Sequence, residues 1–255
     1  MKSFTSFEQF RVINGQAPKV FHLGQAPKQL VFVASWHKND PDDPMFSLIK
    51  NEFEQFKPDL VLHESYNWPV DGDIKLLIQG YGELAYVSRL AHDADIPYRS
   101  AESGMKEDHQ AYVERYGEPL VLALYVFRQV WQYHRQQSKA DTFAKEYKQV
   151  FEARFKNLGA NNFNWSEIDQ ISRRELGIPF EPDDESIMRK FRAAVDPAQE
   201  GTIFNEISRY VNYIRDQGVL RKLAEAKKDY DRIFVVMGAS HYYTIEQYLK
   251  EMFPS

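Results

Sequence analysis

Leu30-Val-Phe-Val-Ala-Ser-Trp-His37 and Ile233-Phe-Val-Val-Met-Gly-Ala-Ser-His241 are the stretches whose reading decides the fold. Each is a short apolar, β-rich run that stops at small residues and then presents a histidine. A run of that length bounded by small residues predicts a buried strand, parallel to its neighbours and covered on both faces. The histidine then falls at the carboxyl end of its strand, where open α/β sheets place their ligands. Two such histidines from opposite ends of the chain meet only if the two strands lie side by side. The expected site is therefore His37, His241 and the acids that the intervening strands supply.

Working outward, Phe46, Ile49, Phe53 and Phe56 recur at helical spacing after the proline-broken loop that follows His37. Leu60-Val-Leu-His-Glu64 is the next strand and ends on a carboxylate, which makes Glu64 the third site candidate. Side chains alternate along a strand, so His63 points to the other face and reads as structural. Gly80-Tyr-Gly82 precedes an amphipathic helix with Leu84, Val87, Ala91 and Ala94 inward and Glu83 in its first turn. Glu83 has two readings: a carboxylate favoured by the helix dipole, or a side chain aimed into the site. Ile96-Pro-Tyr-Arg-Ser100 is a further strand, with Glu102 just beyond it. The long helix through Phe204, Ile207, Val211 and Ile214 leads back to the last strand. From spacing alone, Arg215-Asp216 on its edge reads as an exposed charge pair.

Residues 105–200 change rhythm: helices, turns and an acidic proline-containing loop, with no buried strand. The expected architecture is α/β, a largely parallel sheet flanked by helices. Residues 1–104 and 201–255 form the core, and 105–200 are a helical insertion within the same domain, a lid or substrate selector. Near the start, Gly15-Gln-Ala-Pro-Lys19 and Gly24-Gln-Ala-Pro-Lys28 form a small repeat that punctuates turns.

Composition narrows the classes of function. The chain has 255 residues and Cys 0, so thiol nucleophiles, disulfides and cysteine-held zinc drop out. Lys+Arg 32 against Asp+Glu 37 gives net charge -5, with no strongly basic run, so nucleic acid is not an expected partner. No segment reads as a signal peptide or a membrane span, and a cytoplasmic protein acting on a small-molecule or peptide substrate is expected. The many aromatics read first as core. No Gly-rich phosphate loop, nucleophile elbow or His-Glu-x-x-His motif is present.

Two imidazoles and a carboxylate are a common shell for a catalytic divalent ion such as Zn, Mn or Co, here held by His37, Glu64 and His241. The same trio without metal lets Glu64 activate water as a general base.

The order of these elements resembles the superfamily that joins TraB/PrgY-like and TIKI-type proteins, erythromycin-esterase-like hydrolases and haem-uptake ChaN-like proteins. The residues that carry the resemblance are Ala34-Ser-Trp-His37, Glu64, Gly82-Glu83, Arg215 and Gly238-Ala-Ser-His241. They span roughly residues 28–104 and 204–252, with Ala34 where the family has glycine. The resemblance implies a duplicated α/β core with a pocket at the strand ends, and a catalytic set of His37, Glu64, Glu83, Arg215 and His241. Its members are divided among metal-dependent peptidases, metal-independent esterases and haem-iron binders. The expected function is hydrolysis of an ester or amide, metal-assisted at the His/Glu site. Two other readings stand beside it. One is a haem or small-ligand binder with Tyr66, Tyr81, Tyr242 or Tyr243 at its centre. The other is an inactive interaction domain, in which Glu83 and the histidines would point apart.

Overall fold

In the computed structural model, residues 10, 18–65, 68–135, 142–160 and 163–255 are described. Gly15 to Ala17 of the first repeat copy, and Tyr66, lie outside them. Five strands form one sheet: β1 (Lys19–Gln25), β2 (Lys28–Ser35), β3 (Leu60–His63), β4 (Tyr98–Ser100) and β5 (Arg232–Gly238), in the order β1-β2-β5-β3-β4. Only β1 runs antiparallel, as a hairpin against β2. The two strands that end near histidines pair directly and in parallel, Leu30 opposite Ile233 and Ala34 opposite Met237. β5 pairs on its other side with β3, and β3 with β4. The α/β class and a mostly parallel sheet are thus present. Four carboxyl-terminal strand ends point the same way.

The continuous apolar runs follow from burial on both faces. On one face Phe32, Leu62, Val235 and Met237 meet Val219, Leu223 and Ala226 of α8 (Ile203–Asp229) and Tyr242, Ile245 and Leu249 of α9 (Ala239–Met252). On the other, Val31, Val33, Val61, Phe234 and Val236 meet α1 (Pro44–Phe56) and α2 (Ile74–Asp93). Each fully buried side chain of this size contributes about 1.5–3 kcal/mol. Asp43 caps α1 by accepting from the Met45 N–H, and Asp73 caps α2 by accepting from Lys75 and Leu76. Gly82 breaks α2 with φ 67° and ψ -151°, so a new helical run starts at Glu83.

The chain divides into two compact units: Val12–Ser103 with Arg215–Ser255, which holds the sheet, and Met1–Arg11 with Gly104–Ile214. The second boundary falls inside α8. Phe204, Ile207 and Val211, read from spacing as part of the sheet core, pack instead with the helical unit. That unit contains α3 (Met105–Tyr116), α4 (Glu118–Arg135), α5 (Phe143–Leu158), α6 (Trp165–Leu176) and α7 (Glu185–Val195). No strand occurs among its described residues. Its core is aromatic: the Phe127 ring lies 4.9 Å from Phe191 and 5.0 Å from Phe204.

Candidate functional site

Every predicted site residue lies in the sheet unit, at the carboxyl ends of its parallel strands. Glu64 follows β3 directly and is 8% exposed. Its Oε2 accepts from the Gly238 N–H at 2.8 Å, where β5 ends. Its Oε1 accepts from the Arg215 guanidinium at 2.7 Å. Two imidazoles flank the same carboxylate: His37 Nε2 lies 3.7 Å from Oε2 and His241 Nε2 3.6 Å from Oε1.

Each imidazole is oriented from behind by another acid. His37 Nδ1 lies 2.8 Å from Glu83 Oε1, and His241 Nδ1 2.6 Å from Asp216 Oδ1. Glu83 is 1% exposed and is fixed in turn by Ser35 Oγ at 3.0 Å and by the Lys38 N–H on its second oxygen at 3.3 Å. Thr244 Oγ1 donates to Asp216 Oδ2 at 2.6 Å. The two carboxylate–imidazole pairs thus direct Nε2 toward the two oxygens of Glu64. Fixing a ring through its other nitrogen also sets which nitrogen is free for chemistry.

Two glycines permit this. An added Cβ at Gly82 would come within 2.6 Å of the Lys38 carbonyl oxygen, so only glycine lets the segment bearing Glu83 reach the segment bearing His37. At Gly238 a Cβ would lie 3.1 Å from Glu64 Oε2 and 3.2 Å from His37 Nε2, in the space the two polar atoms share.

The electrostatics follow from the pairing. The hydrogen bond to Glu83, against burial, raises His37 to about 9, with Glu64 adding to it. Burial opposes charge on His241, but Asp216 and Glu64 outweigh it and raise it to about 10. Burial works against charge on Glu64 as well. His241, Arg215 and His37 prevail and hold it well below the usual carboxylate range. Glu64 is therefore a fixed anion rather than a ready proton acceptor. Of the five predicted residues, His37 is the open one, its side chain 63% exposed.

His63 behaves as expected of the opposite face. It is fully buried, its Nδ1 donates to the Glu64 carbonyl at 3.2 Å, and desolvation lowers its pKa. Tyr242 is buried and stacks on Phe21 at 3.5 Å, away from any central position in the cluster.

Sequence reasoning missed Asp216 and left Glu102 out of the set. Asp216 is 3% exposed, not a surface charge. Its signal was its place on the stripe Asp216, Val219, Leu223, Ala226, where a lone acid on a buried face must have a partner. Glu102 follows β4 as Glu64 follows β3, and Arg215 Nε donates to its Oε1 at 2.8 Å. Arg215 also bridges Glu102 and Glu64 through one terminal nitrogen.

Glu64, Glu102 and His241 offer ligand atoms within 4.8 Å of one another, so this group could hold a metal ion. That set has Glu102 where His37 was expected. The donors fit a divalent ion in type. In charge they are already served by Arg215, which hydrogen-bonds both carboxylates. Among the described residues, no helix is long and apolar enough to cross a membrane. No family model matches the chain, and no curated protein matches its sequence.

Proposed function

We propose that the cluster is the active site of a hydrolase that cleaves ester or amide bonds, with His37 as the group that takes a proton from water. One observation carries this: the His37 imidazole is anchored on buried Glu83 through Nδ1 while its Nε2 faces an open space shared with Glu64. At 3.7 Å, Nε2 and Oε2 are too far apart for a direct hydrogen bond, which leaves Nε2 free to accept from a water. Nε2 accepts the water proton, and the hydroxide adds to the substrate carbonyl carbon. The carbon–oxygen or carbon–nitrogen bond then breaks, and the leaving group takes the proton back from Nε2. His241 and Arg215 lend fixed positive charge to the oxygen that becomes negative, an effect worth most in a site with little water. Assigning the proton to His37 rather than Glu64 follows from basicity: its cationic neighbours hold Glu64 well below the usual carboxylate range, which makes it a weak base, whereas His37, raised to about 9, is the stronger base once it has lost its proton.

A second reading is favoured by the Glu64, Glu102 and His241 group: a Zn, Mn or Co ion held there. A bound ion of that kind lowers the pKa of its water toward neutrality. It would have to share Glu64 and Glu102 with Arg215.

An ester and amide screen of wild type, His37→Ala and Glu83→Gln tests the proposal. Removing a general base costs roughly 10²–10⁴-fold in rate, and His37→Ala should show such a loss. The wild-type rate should climb with pH until His37 has lost its proton, at about 9. Glu83→Gln should move that limb to lower pH, since its hydrogen bond is the largest cause of the rise. Hydrolysis that survives His37→Ala would sink this assignment. Stoichiometric metal in protein purified without chelator or affinity tag would favour the second reading.

A further inference from the structure

The large apolar side chains that the fold leaves exposed are not scattered. Among the described residues they are Trp36, Ile74, Leu76, Tyr81 and Val150. Trp36 directly precedes His37, and Ile74, Leu76 and Tyr81 lie on the helical run that ends at Gly82, just before Glu83. Single exposed apolar residues are ordinary on a surface, but their concentration beside a polar cluster marks a contact site. Trp36 is 44% exposed and directly precedes His37; Tyr81 is 48% exposed and lies two residues before Glu83. The close approach of Gly82 to the Lys38 carbonyl brings these segments together. Trp68 completes the rim: its Nε1 donates to the Glu64 carbonyl at 3.2 Å, and its ring lies 5.9 Å from that of Tyr81.

We infer that Trp36, Trp68 and Tyr81 form an aromatic rim that receives a flat, apolar ring of an uncharged ester, beside the carbonyl that His37 serves. The substrate class rests on the hydrolase reading. Trp36, next in sequence to the exposed His37, and the neighbouring rings of Tyr81 and the partly buried Trp68 suit stacking against a planar group. Charge points the same way. Glu64, Glu83, Glu102 and Asp216 face His37, Arg215 and His241, and beside the rim Lys38 lies 5.9 Å over the Trp36 ring and pairs with Asp43; with five acids against four cations, the net negative charge of the cluster and its rim disfavours a substrate that is itself anionic.

Two probes test this. 2-Acetonaphthone, a ketone that cannot be hydrolysed, is titrated into His37→Ala protein with tryptophan fluorescence as the readout. Saturable quenching is expected, weakened about three- to tenfold by adding Trp36→Ala or Tyr81→Ala and largely restored by Trp36→Phe or Tyr81→Phe. In the His37-containing protein, Trp36→Ala should raise KM for 2-naphthyl acetate more than for ethyl acetate. Ketone binding with no ester hydrolysed would keep the rim and remove the hydrolase reading. Hydrolysis in which both rim variants change the two KM values equally would keep the hydrolase and overturn the rim. Absence of ketone binding, together with a dimer that sediments as monomer after Trp36→Ala, would assign the patch to a second copy of the chain and overturn the proposal.

Discussion

His241 shows how one residue's environment sets the behaviour of the site. It is 3% exposed, yet Asp216 and Glu64 raise its pKa to about 10 from 6.5. A raised folded-state pKa contributes stability that is fully present below pH 6.5 and is lost as pH climbs through about 10. Glu64 acts with the opposite sign: its depressed pKa contributes stability above 4.5 that is lost as pH falls. Thermal melts should therefore be highest between about pH 4.5 and 6.5 for these two groups, and fall on both sides. Asp216→Asn should flatten the alkaline side, and a melt series unchanged by that substitution would contradict the pairing. Asp216→Asn also keeps the side chain's volume, so a lost alkaline slope reports charge rather than packing.

At the scale of the element, two glycines predict opposite outcomes from the same substitution. Gly82→Ala places a Cβ 2.6 Å from a backbone oxygen at a positive φ, so the break in α2 must distort. A loss of about 1–3 kcal/mol in stability is expected, measured by urea denaturation, together with loss of the Glu83–His37 contact. Gly238 has φ -52°, which alanine adopts freely, and its added Cβ meets only side-chain atoms. Gly238→Ala should fold with stability within about 1 kcal/mol of wild type but crowd His37 Nε2 and Glu64 Oε2, lowering the rate of the proposed hydrolysis. Equal stability losses in the two variants would show that the space above Gly238 is not the open one. The strands themselves are insured by burial on both faces, which is why β2 and β5 were recognisable as uninterrupted apolar runs.

On the scale of the whole molecule, each compact unit carries a hydrophobic core of its own. Phe127 sits at the centre of the helical one, against Phe180, Phe191 and Phe204. Phe127→Ala should cost about 3–5 kcal/mol there. Amide exchange should quicken in residues 104–214 while β2 and β5 keep their protection. Equal acceleration in both units would show that they unfold as one.

Much of the sheet and of the site was legible in the residue order. Apolar runs ending at His37, Glu64 and His241 announce parallel strands with polar groups at their carboxyl ends, because burial on both faces demands continuous hydrophobicity and alternation fixes which side chain faces where. Glu83 was legible as a candidate from its place after Gly82, and Arg215 through the resemblance alone. Tertiary structure alone decided the partners. Asp216 reads as a surface charge until α8 turns it onto the sheet, and Glu102 acquires its role only because β4 lies beside β3. The division within α8 was equally hidden, since one helix can serve two cores without a break in its period. Chain order determines local periodicity and strand ends; the pairing of charges depends on distances that only the packed fold sets.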